Sequence, residues 1–542
     1  MLPNFFRTLL ERRMPALTRR NLLTATTAAA AAQPTPLPSA QAAESGPLQI
    51  GPSIFQSIGV RPLINCKGTF TIVTGSQSLP EVKQAMMEAS KHYVHLDELM
   101  DAVGRRLAAI TGAEFGIITN GCAAALTHAT AASIAGTDPE KLQRVPDLTG
   151  LKNEVIAPRH SRNVYDHAIR MLGVKIIEVD SLAELERAFN PRTAMAMVLA
   201  SPAADREPLS TQTVCRVAAQ HNVPVIVDAA AEILTIPNKH LQAGATMVAY
   251  SGGKCLRGPQ AAGLLLGRKD IVQAAWLHSA PHHAFGRSLK VGKEEIMGML
   301  AAVEAWVKRD YQAEFRTWES WLADISKAVE SVPGVTTAVR QPNSLSNHAP
   351  TLTIRWDAAK IGISGRELEK YAYDNAPRIV LGSASGDMGS SEPSTIGIQP
   401  YMMMPGEHKL VAQRLQALLS KPPKIDRAPK PAGPNANIDG QWTLTVNYSR
   451  GSATHHLVFE QSEAKLAGTH RGDITSGELR GNVDGPQVIF NTRHRYEGTM
   501  LTYAFTGKLE GDKLSGTVNM GEYGNAQWTA QRVQYGANNR RG

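Results

Sequence analysis

Cysteine is scarce in this chain, with four in 542 residues, too few for a disulfide scaffold. No apolar run approaches the roughly 18 residues of a membrane span, so stable membrane insertion is not expected. A basic block is also missing. The formal charge is +9, but Arg7, Arg12, Arg13, Arg19 and Arg20, against Glu11, place nearly half of it in the first 42 residues. The remainder is spread thinly, which argues against a nucleic-acid partner. A hydrophobic content of 43% with 19% charged residues excludes global disorder and fibrous repeats. What is left is a globular chain long enough for about two or three domains, each with its own core.

Thr18-Arg19-Arg20-Asn21-Leu22-Leu23 opens an Ala/Thr-rich stretch, followed by prolines and the small-residue run Ser39-Ala40-Gln41-Ala42. A basic start, a mildly apolar middle and a small-x-small cut site make a secretory signal. The paired arginines resemble a twin-arginine signal. We therefore expect a leader over residues 1–42, read by the twin-arginine export machinery, and a periplasmic or secreted mature protein. That route carries folded proteins, so Cys66, Cys122, Cys215 and Cys255 are expected to stay reduced and buried, without a disulfide.

Strands are expected over 115–119, 154–157, 175–179, 194–200, 223–227, 246–250 and 262–266. Helices are expected over 81–92, 99–110 and 164–172, with an alanine-rich one from residue 123. Apolar strands separated by helices indicate a mainly parallel sheet covered on both faces, an α/β core over 43–309. Residues 310–420 read as a smaller α+β lobe, and five prolines within 421–436 mark a semi-rigid linker. Beyond it, over 437–535, eight short alternating segments are punctuated by Gly, Asp and Asn. They predict an antiparallel β-barrel or sandwich, lipocalin-like in outline, with Trp442 and Trp528 as core plugs. Residues 536–542 read as a disordered tail.

The stretch Val223-Pro-Val-Ile-Val-Asp228 sets an acid at the carboxyl end of a buried strand, where open α/β sheets bind their ligands. One strand later, Ser251-Gly-Gly-Lys254 places a lysine after small residues that admit a flat ring close to the backbone. A lysine amine beside an aromatic electron sink, with an aspartate opposite the ring nitrogen, is what pyridoxal phosphate chemistry requires. On this reading Lys254 forms the Schiff base and Asp228 keeps the pyridine nitrogen protonated. Upstream, the strand over 115–119 turns through Asn120, Gly121 and Cys122 into a helix start, whose free N–H groups and dipole suit a phosphate. His160, at another strand end, is placed to stack on the ring, and Ala230 and Ser251 complete the cofactor lining. Each signal alone has a plainer reading: a loop lysine, a turn aspartate, a structural histidine. Their order on successive strand ends carries the cofactor assignment.

The same residues carry a resemblance. Ile64-Asn65-Cys66-Lys67-Gly68-Thr69, Thr111-Gly112-Ala113-Glu114, Asp228-Ala-Ala-Ala-Glu232, Ser251-Gly-Gly-Lys254 with Gly258-Pro259-Gln260, and the Gly286–Glu295 stretch resemble the fold-type-I pyridoxal-phosphate enzymes. Within these the chain is similar to the selenocysteine synthase (L-seryl-tRNA(Sec) selenium transferase)-like family, in the branch that holds D-glucosaminate-6-phosphate ammonia-lyase. The resemblance runs from about residue 63 to 419. It implies Lys254 as the Schiff-base lysine, Asp228 as the ring-nitrogen acid, and Arg287 near a neighbouring subunit's phosphate or substrate. A homodimer or larger homo-oligomer is implied too. Arg378, before a small-lobe strand, is where such enzymes often hold a substrate carboxylate.

Other candidates have plainer readings. His278, His282 and His283 lack a carboxylate partner with ligand spacing, so they are taken as active-site lining or surface residues, and no metal is expected. His92 and His95 are read as structural, and Cys255 as packing. The expected function is an exported pyridoxal-phosphate enzyme acting on a small-molecule amine, an amino acid or amino sugar acid, with elimination of ammonia favoured. Racemisation, transamination and β-replacement share its first steps. A binding protein acting through the barrel is the rival from another class.

Overall fold

The computed structural model describes residues 46–427 and 435–534. The leader expected over 1–42, part of the linker and the tail over 536–542 lie outside the described residues. Up to residue 62 the chain is a unit of its own, in which Ile54–Ser57 is one turn of helix. Everything from Leu63 onward forms a second unit.

Seven strands make the central sheet: β1 (Phe115–Thr119), β2 (Glu154–Pro158), β3 (Lys175–Val179), β4 (Thr193–Leu199), β5 (Val225–Asp228), β6 (Met247–Ser251) and β7 (Gly263–Gly267). Their order is β1-β7-β6-β5-β4-β2-β3. Every residue of β1, β2, β5 and β7 is buried, because helices cover both faces. The sheet is parallel from β3 to β6, but β7 runs antiparallel to both neighbours. The short connection after Ser251 leaves no room for a crossover helix, so the chain must return antiparallel.

Helix α1 (Gly121–Ala135) is buried on nearly all sides. Its alanines let it lie close to the sheet, and Thr127, Thr130 and Ser133 turn their hydroxyls back to carbonyls four residues earlier. Gly263 on β7 permits that approach, since a Cβ there would overlap the Gly121 carbonyl and lie 2.6 Å from the Cys122 nitrogen.

The helix expected over 164–172 is present in shortened form, a 3-10 turn, Val164–Asp166, running directly into one α-turn, His167–Arg170. Val164 and Tyr165 are exposed, so no apolar stripe stabilises a longer helix.

A second core joins Ile64 and Cys66 to residues from Leu322 to Leu419. Its four-stranded antiparallel sheet runs Ser383–Ser385, Ser394–Ile398, Thr351–Trp356, Thr336–Arg340. Ile64–Cys66 pairs in parallel with Ile379–Leu381.

The C-terminal region closes into an eight-stranded antiparallel barrel: β8 (Gly440–Asn447), β9 (Ser452–Ser462), β10 (Lys465–Arg471), β11 (Ser476–Asp484), β12 (Gln487–Tyr496), β13 (Thr499–Glu510), β14 (Lys513–Asn519) and β15 (Asn525–Arg532). Alternation sets which side chains point inward, and Trp442, Phe459, Phe490, Phe505 and Trp528 fill the interior. The rings of Phe490 and Phe505 stack at 4.5 Å.

Toward one end of the barrel lies a chain of buried histidines. His455 Nδ1 is 2.9 Å from His470 Nε2, and His470 Nδ1 is 2.9 Å from both Thr492 Oγ1 and His494 Nε2. These nitrogens are spent on one another and do not converge on a common point. No group of three metal-ligating side chains able to hold an ion occurs among the described residues.

Burial drives the His470 pKa down to about 2, that of His128 to about 3, and that of His278 to about 4. Below pH ~6.5 the unfolded chain takes protons that these folded imidazoles refuse, so stability falls as the pH falls. Each histidine contributes roughly 1.4 kcal/mol per pH unit, down to its own folded value. Asp228 and Glu407, whose pKa values burial pushes upward, offset part of this loss. The expected result is a urea midpoint that drops steadily from pH 6.5 to 4.5. A flat or rising midpoint over that range contradicts it.

Candidate active site

Strands β5 and β6 are neighbours, and their carboxyl ends present the two residues read as catalytic. Asp228 closes β5 and is 3% exposed. The Ala230 N–H and the Cys122 thiol both donate to its Oδ1, at 3.1 and 3.6 Å. Burial raises the pKa of Asp228, while the Ala230 N–H and the nearby Lys254 ammonium pull it back. Burial, then Asp228, pushes the Cys122 thiol well above its ordinary value, so it is a neutral donor.

Lys254 lies in the turn after β6 and is half-buried. Tight backbone packing fixes that turn: Gly252 donates to the Ala262 carbonyl at 2.8 Å, and Ser76 donates to the Gly253 carbonyl at 3.0 Å. Gly75, at φ +66°, faces the same carbonyl so closely that a Cβ would lie 2.6 Å from it. Only glycine suits that conformation and that contact.

Asn120 precedes α1 without capping it through its side chain, and Gly121 opens the helix at φ +76° with open space around it. The first N–H groups of this long helix are thus available to an anion. Because Cys122 touches Asp228, the anion cradle, the acid and the lysine belong to one site. Ala230 and Ser251 join the same wall, linked by a 3.3 Å backbone hydrogen bond. His160 is held at both ring nitrogens, by the Leu209 carbonyl and by Ser161 Oγ, each at 3.2 Å.

Arg287 is exposed on the segment before Lys293 and is not brought to these residues. Arg378 lays its guanidinium on the Tyr373 ring at 4.0 Å, and its Nε donates to the Tyr373 carbonyl. His278 corrects the expectation that it lines the site or the surface. It is fully buried, with Nε2 on the Gly136 carbonyl at the end of α1. His282 pairs with Asp97 at 3.2 Å, and His283 is exposed. His92 and His95, read as structural, are exposed on the surface. Cys255 donates to the Ala231 carbonyl, and burial pushes its thiol up to about 11, so it packs and is no nucleophile. Glu232, from the same stretch as Asp228, is buried against His240 at 2.6 Å.

Tyr165, Tyr401 and Asn347 escaped the sequence reading, and Thr69 entered it only within the Ile64–Thr69 stretch, without a role. The Tyr165 ring stands 5.7 Å from Lys254 Nζ. Tyr401 donates to Asn347 Oδ1 at 2.8 Å, and Thr69 donates its N–H to Tyr401 at 3.2 Å. Asn347 is tied by its N–H to the Ala231 carbonyl, which brings this trio beside the Asp228 segment. Nothing in their local sequence marks them, because the chain distances that join them are long.

The residues present fit pyridoxal 5'-phosphate. Asp228 is a buried carboxylate whose two protein donors share one oxygen, so a ring N–H suits it. Lys254 is an amine at the adjacent strand end, and α1 begins with an uncapped, glycine-opened N-terminus.

No family model matches the chain. It is 29% identical over 377 residues to D-glucosaminate-6-phosphate ammonia lyase of Salmonella typhimurium, covering 68% of this chain and 98% of that protein. It is 29% identical over 392 residues to 5'-C-glycyluridine monooxygenase-decarboxylase of a Streptomyces species, covering 70% of this chain and 94% of that protein. An L-seryl-tRNA(Sec) selenium transferase of Proteus mirabilis is 23% identical over 48% of this chain and 59% of its own length. A solved D-glucosaminate-6-phosphate ammonia-lyase superposes with a TM-score of 0.60 at 28% identity, covering 68% of this chain and 99% of that one. The core therefore has the fold-type-I architecture, the chain is homologous to these enzymes, and it is itself a pyridoxal-phosphate-dependent enzyme of the lyase–transferase kind.

Proposed function

We propose that the protein is an exported enzyme that removes ammonia from a small-molecule amine, an amino acid or amino sugar acid, by α,β-elimination. The observation that carries this reading is the pair Asp228 and Lys254 on adjacent strand ends, beside the uncapped start of α1. Pyridoxal phosphate, when bound, supplies an electron sink for negative charge at the substrate Cα.

The chain does the rest. Backbone N–H groups of Gly121 and Cys122 bind the phosphate. With the cofactor bound, the buried Asp228 carboxylate would hold a proton on the ring nitrogen, and Lys254 would carry the cofactor and take the substrate Cα proton. His160, fixed at both nitrogens, supplies a rigid plate against the ring. Tyr165 places its ring beside the Lys254 amine, 5.7 Å from Nζ. A substrate with a β-hydroxyl loses it as water; the resulting enamine then takes up water and yields a 2-oxo acid and ammonia.

Ammonia loss is supported by likeness to the Salmonella lyase. A homo-oligomer is supported by the exposed Phe70 and Ile72, 52% and 87% exposed, which flank the segment packed on the Lys254 turn. Export rests on Arg19 and Arg20, and replacing both by lysine is expected to leave the protein in the cytoplasmic fraction.

The function is tested by screening D- and L-amino acids and amino sugar acids for ammonia and 2-oxo acid release. The protein used is the purified full chain, whose light-scattering mass should equal at least two chains. Racemised or transaminated products without ammonia would replace elimination by those reactions. A protein that takes up no pyridoxal phosphate and binds ligand only through the barrel would favour the binding-protein reading.

A further inference from the structure

The segment between β2 and β3 carries both His160 and Tyr165, and it is built only of single turns, Arg159–Ser161, Val164–Asp166 and His167–Arg170. An ion-pair network ties these turns down. The Arg162 guanidinium, 3% exposed, meets Asp166 at 2.6 Å and Glu178 at 2.5 Å. Its third carboxylate comes from the barrel, Glu497 at 2.5 Å. Arg495 of the barrel binds the same Glu178 at 3.0 Å, and Arg170, paired with Asp166 at 2.9 Å, stands over the Tyr496 ring at 5.9 Å.

The contact is shaped as well as charged. Glu497 and Gly498 form the two-residue turn between β12 and β13. A Cβ on Gly498 would overlap the Asn163 carbonyl and lie 2.5 Å from Asp166 Oδ2. Asn163 in turn caps the Tyr165 turn, accepting the Tyr165 N–H at 2.7 Å. Hairpin tip, Asn163, Tyr165 and Lys254 are therefore in series.

We infer that the Glu497–Gly498 hairpin is a buttress that sets Tyr165 and His160 against the cofactor site, making the barrel a working part of that site. This rests on the functional reading above. The Salmonella relative is used up by 68% of this chain, and the resemblance stops near residue 419, so the buttress belongs to the added part. Glu497 and Gly498 are positioning residues.

The test compares the full chain with Gly498→Ala, which forces the tip off Asn163, and with Gly511→Ala. Gly511 occupies the β13–β14 turn at φ +61° with nothing within 4 Å, so its substitution strains the barrel without touching the contact. The first readout is tryptic cleavage after Arg162 and Arg170 in apoprotein, and the second is the affinity for pyridoxal phosphate. Gly498→Ala is expected to speed cleavage roughly tenfold and weaken cofactor binding several-fold, by opening the segment locally. Gly511→Ala is expected to do neither. The inference is overturned if Gly498→Ala leaves either readout at the wild-type level, or if Gly511→Ala reproduces both changes. A wild type that takes up no pyridoxal phosphate would refute the functional reading instead, and the cleavage readout would still decide whether the hairpin holds the segment.

Discussion

Replacing Lys254 by alanine is expected to lower turnover by at least about 10⁴-fold, because on the proposed function one side chain both carries the cofactor and moves the Cα proton. The protein should still fold, since Lys254 is half-buried and its turn is fixed by glycine backbone contacts that the substitution leaves alone. Hydride treatment of the wild type should add the mass of one reduced cofactor at position 254, and the variant should keep the mass of the bare polypeptide. Wild-type protein that shows no adduct after incubation with excess pyridoxal phosphate would refute the assignment. A further consequence follows for Asp228. The Lys254 ammonium helps to hold its carboxyl down, so the variant's Asp228 should titrate at a still higher pH.

Asp228→Asn should cost roughly 10²–10³-fold in turnover. Asparagine keeps the shape and accepts the Ala230 N–H, but it brings no negative charge to hold a proton on the ring nitrogen. Burial makes that charge costly in the empty protein, and the same low dielectric strengthens its pairing with a cationic ring. The variant should therefore be no less stable than wild type without cofactor, yet bind the cofactor more weakly. Equal affinity and equal turnover in the two proteins would show that Asp228 does not face the ring nitrogen.

Much of the fold was legible because burial imposes periods. Strands β1 and β3, and β10 and β14 of the barrel, lie where alternation and apolar runs placed them, since each must present one or both faces to a core. The helix expected around Tyr165 is shorter and less regular than its text suggests. Its order comes from Arg162, Asp166 and Glu178, charges that form no apolar stripe. His278 was misjudged for a related reason, because a histidine that ends a helix through one carbonyl contact looks in sequence like any other. The antiparallel β7 follows from loop length and was masked by its apolar text.

The local placement of Asp228, Lys254 and the Asn120–Cys122 turn was decided by the amino-acid sequence alone, for each is a local device: an acid ending a strand, a lysine after glycines, a glycine opening a helix. The closed barrel followed likewise from eight alternating segments. The convergence of Thr69, Asn347 and Tyr401, and the seating of Glu497 and Gly498 on the segment that carries Tyr165, were decided only by the tertiary structure. Core burial repeats along a strand or helix and leaves a period to be read. A hydrogen bond or ion pair between segments hundreds of residues apart repeats nowhere, and only folding brings its partners together.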